Sequence, residues 1–258
     1  MCLLVVGLGA HPRYRLVVAA NRDEFHERPA APLARWDRPD ILAGRDLRAG
    51  GAWLALDRAR RFGVVTNFRD MQPPIPGSPS RGALIPAFLA QTGTAAAFLE
   101  ALAPAAAAYS GFNLLLYDAQ GLHYASNRAS PFARALSPGI YGLSNHLLDT
   151  PWPKLVRVRR AFTDWLAAAS PSEEGLLAIL ADRTASPPGP DGQLAGLGPE
   201  WQRALSAPFV LHPQYGTRCS TIVLLEPSGA CSVWERRFDD RGHLSGESHV
   251  VLAPGEWV

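Results

Sequence analysis

Cysteine is scarce. The chain has three, Cys2, Cys219 and Cys231, too few and too far apart for a disulfide framework, and no pair has metal-finger spacing. Reduced thiols in a cytoplasmic setting are expected. Neither sign of charge is in large excess. The formal net charge is +2, and the arginines are scattered instead of gathered into a basic stripe, which argues against nucleic-acid binding. No apolar run approaches the length of a membrane span. Residues 2–10 are apolar, but no charged segment precedes them and Pro12-Arg13-Tyr14-Arg15 ends the run, so no targeting segment is expected. The seven histidines show no paired spacing such as His-Glu-x-x-His, and no metal site is expected. There are no internal repeats.

What is present is ample apolar material. With 258 residues, 47% of them hydrophobic, the chain can bury a large core, and residues 1–258 read most simply as one domain. Residues 3–8 and 16–20 are short Val/Leu-rich runs separated by the turn-like Gly9-Ala10-His11-Pro12-Arg13, which predicts a β-hairpin. Both runs are apolar at odd and even positions alike, the pattern of strands covered on both faces. Further strands are predicted over 52–56, 62–67, 112–117, 122–125, 221–225, 231–238 and 248–252.

Helices are predicted over 83–91, 94–107, 154–169 and 172–182. Thr94 and Ser172 are placed as N-caps, with Glu173 and Glu174 in the first turn of the last helix. Leu155, Val158, Phe162, Trp165 and Leu166 share one face at helical spacing. Strand-rich ends around a helical centre predict an α+β fold, with helices packed on largely antiparallel sheets. The Pro/Gly stretch 187–198 is read as a long surface loop.

The hairpin brings chemistry together. With its turn near His11 and Pro12, antiparallel partners have indices summing to 23 or 24, so Cys2 falls opposite Asn21 or Arg22. Asp23 and Glu24 follow where the second strand outruns the first. A cysteine so placed is more often an ordinary buried strand residue. Removal of Met1, however, would leave Cys2 with a free α-amine of pKa about 8 beside a thiol of about 8.5. Near neutral pH that amine can take the thiol's proton, uniting nucleophile and base in one residue. Asp23 would orient the ammonium.

The chain resembles the NRDE family, also called the transport and Golgi organisation protein 2 family. The likeness is carried by Met1-Cys2, Asn21-Arg22-Asp23-Glu24, Val65-Thr66-Asn67-Phe68-Arg69 and Ser80-Arg81-Gly82. It continues through Tyr141-Gly142-Leu143-Ser144-Asn145, Leu148-Asp149-Thr150-Pro151-Trp152-Pro153-Lys154 and Tyr215-Gly216-Thr217-Arg218. That family in turn resembles the cysteine N-terminal-nucleophile hydrolases, whose fold is a four-layer αββα sandwich. The resemblance implies Cys2 as nucleophile, Asp23 as its partner, Asn67 as oxyanion donor, Asn145 as a second amide in the site, and Arg218 as a charge stabiliser near the thiolate. A side-chain amide aimed at an oxyanion is worth ~3 kcal/mol. Asn21, Arg22, His146 and Trp53 are expected on the substrate side. Those hydrolases carry an Arg three residues before the Asp, where this chain has Ala20. Arg22 is near, but a one-residue shift along a strand turns a side chain to the other face.

Other signals carry less. Gly7-Leu8-Gly9 lacks the third glycine and following helix of a dinucleotide loop, and Arg48-Ala49-Gly50-Gly51 lacks the Lys-Ser/Thr pair of a phosphate loop. Cys219 is read as a core thiol. The expected activity is hydrolysis or transfer of an acyl group from an amide or thioester, requiring no cofactor. The alternative, implied by the resemblance, is a non-catalytic carrier of haem or of a lipid or acyl-coenzyme A ligand, as in haem trafficking.

Overall fold

The two apolar runs at the head of the chain form the hairpin they predict, β1 (Cys2–Leu8) and β2 (Leu16–Phe25). Their register runs from Cys2 opposite Arg22 to Leu8 opposite Leu16, a constant index sum of 24. Leu3, Leu4, Val5 and Val6 are all buried, as are residues 16–23 of β2. Apolar side chains at odd and even positions thus report burial of both sheet faces, as expected. The computed structural model describes residues 2–69, 76–187, 194 and 196–258, so most of the expected loop 187–198 lies outside the described residues.

The chain divides into two compact units. The first comprises residues 1–27, 138–144 and 148–251. Its six-stranded sheet has the order β10-β1-β2-β11-β12-β13, with β10 Gly139–Leu143, β11 Tyr215–Leu225, β12 Cys231–Phe238 and β13 Leu244–Leu252. One face is covered by α3 (Pro153–Ala167) and α4 (Glu173–Leu180). Leu3, Val5, Val17, Ala19, Ile222 and Leu224 from the strands meet Leu155, Val158, Phe162 and Leu166 of α3 and Leu176, Leu177 and Leu180 of α4. The predicted apolar stripe of α3 is therefore its buried face. Ser172 caps α4 by accepting from Gly175 N at 3.1 Å. A Cβ at position 142 would lie 3.0 Å from Leu155 Cδ1, so the glycine there lets Leu155 pack closely on β10.

The second unit comprises residues 28–137, 145–147 and 252–258. Its seven strands run in sequence order, β3 (Ala30–Trp36), β4 (Ile41–Asp46), β5 (Leu54–Asp57), β6 (Phe62–Asn67), β7 (Phe112–Asp118), β8 (Gly121–Ser126) and β9 (Ala133–Leu136). Helices α1 (Leu84–Ala90) and α2 (Ala95–Leu102) pack on one face through Ile85, Phe88, Leu89 and Leu99 against Ile41, Val65, Leu114 and Leu116. Thr94 caps α2, accepting from Ala97 N at 3.2 Å, and Asp118 Oδ2 accepts from Ala95 N at 2.6 Å. The helix predicted over 94–107 is α only to Leu102; residues 103–108 tighten to a 3₁₀ turn, because Pro104 lacks an N–H and breaks the α pattern. At the other end of this layer Arg61 donates to the carbonyls of Leu89 and Gln91, capping α1.

The architecture is α+β with two largely antiparallel sheets, each carrying helices on one face. Each unit by itself has one β layer with helices on one face. Strands β3, β4, β9 and β10 and the helix α5 (Pro199–Leu205) were not among the elements predicted. No helix among the described residues is long and apolar enough to cross a membrane.

Candidate functional site

Of the two partners open to Cys2, the register selects Arg22. Across β2 the same row continues, since Cys219 of β11 also pairs with Arg22. Arg22 is thereby flanked by a thiol on either side, and it lies 3.9 Å from Glu24, two residues on. Ala20 and Arg22 are two apart and share a sheet face, so the one-residue argument for separating them does not apply. Arg22 stands on the face where Ala20 stands, one alternate position further along, and is the direct neighbour of Cys2. That corrects the expectation that this face lacks a guanidinium.

Asp23 faces the helix-covered side and is buried, with 3% of its surface exposed. Its Oδ1 accepts a hydrogen bond from the Thr217 hydroxyl at 2.7 Å, and Thr217 Oγ1 in turn accepts from Val210 N at 2.9 Å. Its backbone carbonyl accepts from the Tyr215 hydroxyl at 2.6 Å. Burial pushes the Asp23 carboxyl up to about 6, against the opposing pull of the Lys154 ammonium, the Thr217 hydroxyl and Arg22. Cys2 is coupled to the same residue. Burial raises its thiol above the ordinary value, the Asp23 carboxylate raises it further, and the Asp23 backbone N–H bonded to the sulfur pulls it down.

Between Thr217 and Cys219 the pairing of β11 with β2 shifts by one residue, leaving Arg218 as the extra residue of a β-bulge. Bulges re-aim side chains, and the Arg218 guanidinium bonds the carbonyls of Phe25 and His26 at 3.1 and 3.0 Å, strapping down the end of β2. Burial lowers its pKa, and the nearby Arg22 lowers it further.

Asn21, expected on the substrate side, is committed elsewhere. Its Nδ2 donates to Leu180 O at 2.8 Å and Pro208 O at 3.1 Å, and its Oδ1 accepts from Ser220 Oγ at 2.6 Å. These bonds tie β2 to the end of α4, to the loop after α5 and to β11. The residue is therefore a structural clamp beneath the helices, because a strand position adjacent to Arg22 must face the other way.

The remaining candidates lie in the second unit. Asn67 ends β6 with its side chain exposed. Asn145 is fully buried in a left-handed conformation, φ 57°, and its Nδ2 donates to the Asn67 carbonyl at 2.7 Å. Its own carbonyl accepts from Arg69 N at 2.7 Å. The two asparagines are thus brought together, with Asn145 holding the peptide of Asn67. His146 packs its ring on Phe68, centroids 5.0 Å apart. Trp53 occupies the space over Gly44, where a Cβ would come within 2.2 Å of its ring, so its indole is packed on the sheet of its own unit.

Two residues of the site had no assigned role in the sequence. Lys154 is 2% exposed, reaches Ala207 O at 3.4 Å, and places its charge beside Asp23. A signal for it exists: Lys154, Val158, Phe162 and Trp165 follow one apolar stripe, and a lysine inside such a stripe is out of place without a buried partner. Thr217 is the other; it lies in the Tyr215-Gly216-Thr217-Arg218 motif, a buried polar residue near the start of β11. Cys219 behaves as a core thiol, its pKa raised well above the ordinary value by burial and by Glu235.

Known proteins place the chain. A family model described as Transport and Golgi organisation 2 matches residues 1–240. The chain is similar to the Transport and Golgi organization 2 homolog of Mus musculus, 33% identical over 97% of this chain and 98% of that one. The Homo sapiens homolog is 32% identical over 93% and 94% of the two chains, and the Drosophila melanogaster protein 26% over 100% and 95%. Among solved structures, a Caenorhabditis elegans N-acylethanolamine-hydrolyzing acid amidase ortholog covers 86% of this chain and 92% of its own, with TM-score 0.41 and 12% identity, a likeness too slight to carry an argument. The extent of the family match and of the curated likenesses is decisive: the chain belongs to the Transport and Golgi organisation 2 family.

Proposed function

We propose that Cys2, made the first residue by removal of Met1, is the nucleophile of an amide- or thioester-cleaving acyl hydrolase or acyltransferase. The observation that carries this reading is the coupling of Cys2 to Asp23. The Asp23 backbone N–H is bonded to the sulfur, and the carboxyl of the same residue is held by Thr217 and titrates at about 6.

The α-amine of Cys2 takes the thiol proton as Sγ bonds to the substrate carbonyl carbon. The tetrahedral intermediate collapses by breaking the C–N or C–S bond, and the leaving group departs with that proton. Water then adds to the acyl thioester, the Cys2 sulfur leaves and is reprotonated, and a carboxylic acid is released; an amine or thiol acceptor in place of water gives transfer. At neutral pH Asp23 is a carboxylate, and in this reading it orients the ammonium. Arg22, the cross-strand neighbour of Cys2, favours the thiolate electrostatically.

A carrier of haem, a lipid or acyl-coenzyme A is the second reading. It is favoured by the raised thiol pKa, which lowers the thiolate fraction at neutral pH. The two are separated by assaying acyl amides and acyl thioesters with wild-type protein, Cys2→Ala and Cys2→Ser, alongside titration with haem and acyl-coenzyme A. Turnover that Cys2→Ala abolishes supports the hydrolase. Binding that survives Cys2→Ala, with no turnover of either substrate class, supports the carrier.

A further inference from the structure

A cavity of about 400 Å³ lies wholly within the second unit, between α2 and the strands β8 and β9. Its existence follows from residue size. Ala96 and Ala103 on the helix side and Ala133 and Ala135 along β9 leave a gap that larger side chains would fill, while Leu99 and Phe132 give it an apolar lining. The volume is at the lower end of small-molecule sites, which run from ~300 to 1,000 Å³.

Two polar side chains converge on the gap. His123 pairs across the sheet with Ala135 and with Leu116, a member of the helix-facing core, so its imidazole projects toward α2. Its Nδ1 is buried and has no hydrogen-bond partner among the described residues. A buried acceptor or donor left unmatched costs ~1–3 kcal/mol, so an orphan of this kind calls for a partner. Glu100 lines the same cavity. Arg134 also lines the cavity, but its guanidinium is drawn toward the other sheet face. Arg134 pairs with Tyr124, which is on the opposite sheet face from His123, and its guanidinium sits 5.9 Å over the Tyr124 ring.

The cavity therefore presents one carboxylate, one imidazole nitrogen and an apolar body. We infer that it is a binding site for a compact organic ammonium, whose N–H groups are shared between Glu100 and His123 Nδ1 while its apolar part fills the alanine-lined gap. With the imidazole protonated at Nε2, Nδ1 accepts a hydrogen bond, and an ammonium has three to give. A carboxylate or phosphate ligand meets the Glu100 charge while the Arg134 guanidinium is turned toward Tyr124. A neutral alcohol satisfies His123 but leaves the Glu100 carboxylate without a counter-charge.

The test is amide-resolved NMR titration of the full-length protein with 2-phenylethylamine, 2-phenylethanol and 3-phenylpropionate at millimolar concentration. Saturable shifts at Ala96, Ala103, Ala133 and Ala135 are expected with the amine, with the alcohol weaker by about tenfold and the carboxylate inactive. Glu100→Gln, at an exposed helix position that tolerates the change, is expected to weaken the amine about tenfold. Ala135→Leu, which fills the gap, is expected to abolish binding, with a thermal melt confirming that each variant folds. No saturable shift at these residues, equal binding of the three probes, or undiminished binding to Glu100→Gln would overturn the proposal.

Discussion

The Thr217 hydroxyl donates to Asp23 Oδ1 at 2.7 Å while its oxygen accepts the Val210 N–H at 2.9 Å. One small side chain thus fixes the orientation of a buried acid and satisfies a buried backbone donor. Thr217→Val keeps the shape and removes both bonds. It is expected to destabilise the fold by about 2–4 kcal/mol, because two buried polar groups lose a partner. Loss of a donor to the charged form also raises the Asp23 pKa further, so any pH-rate profile shifts its acidic limb upward. Thr217→Ser restores both. Denaturant melts and pH profiles of the two variants check this.

Asp23 titrates at about 6 in the folded protein, against an ordinary value of 3.8. The folded state therefore binds this proton more tightly than the unfolded one. Its contribution to stability is fully present below pH about 4 and is lost as pH rises through about 6. Above that pH the buried charge costs up to about 3 kcal/mol. Asp23→Asn, whose amide oxygen still accepts from Thr217, is expected to be more stable than wild type at pH 7 and no more stable near pH 3. Turnover, if carried by the carboxylate, is lost at every pH. Melts at the two pH values read the sign directly.

Asn21→Ala removes three buried hydrogen bonds, to Leu180, Pro208 and Ser220. A loss of about 3 kcal/mol or more is expected, since the two carbonyls and the hydroxyl are left without that partner. In the surviving folded fraction KM is expected to be unchanged, which distinguishes a clamp from a substrate contact. Urea denaturation beside steady-state kinetics measures both.

The three thiols are expected to differ in reactivity. Cys219 is buried with a strongly raised pKa, and Cys231 is buried as well. Cys2 is half-buried and has the Asp23 N–H at its sulfur. Limited iodoacetamide treatment of the folded protein followed by peptide mapping is expected to modify Cys2 first, and Cys219 only on unfolding.

The parts of this molecule legible in sequence are those where hydrophobic periodicity speaks. The hairpin, its index sum within one unit, the buried stripe of α3 and the caps at Thr94 and Ser172 all follow from side-chain spacing and size. What went unread is polar, short or at an edge. β3 is an outer strand interrupted by Pro32 and a register shift, and β9 has only four residues. β11 was recognised only from Thr221, because Tyr215–Ser220 carry the polar groups of the site, and the chemistry there masks the strand pattern. The placement of Arg22 beside Cys2 was half-read. Register put it within reach, yet its face is settled only by counting two residues, not one, from Ala20. Asn21 shows the converse: a polar residue in a motif read as substrate-facing is consumed by the fold.

Whether Cys2 is an N-terminal nucleophile is read out by intact-mass spectrometry of the purified protein before and after treatment with an acylating β-lactone. The expected result is a chain lacking Met1 that gains one acyl group, mapped by peptide analysis to Cys2 and absent in Cys2→Ala. A chain that retains Met1, or one that acquires its acyl group at Cys219, Cys231 or nowhere, contradicts it.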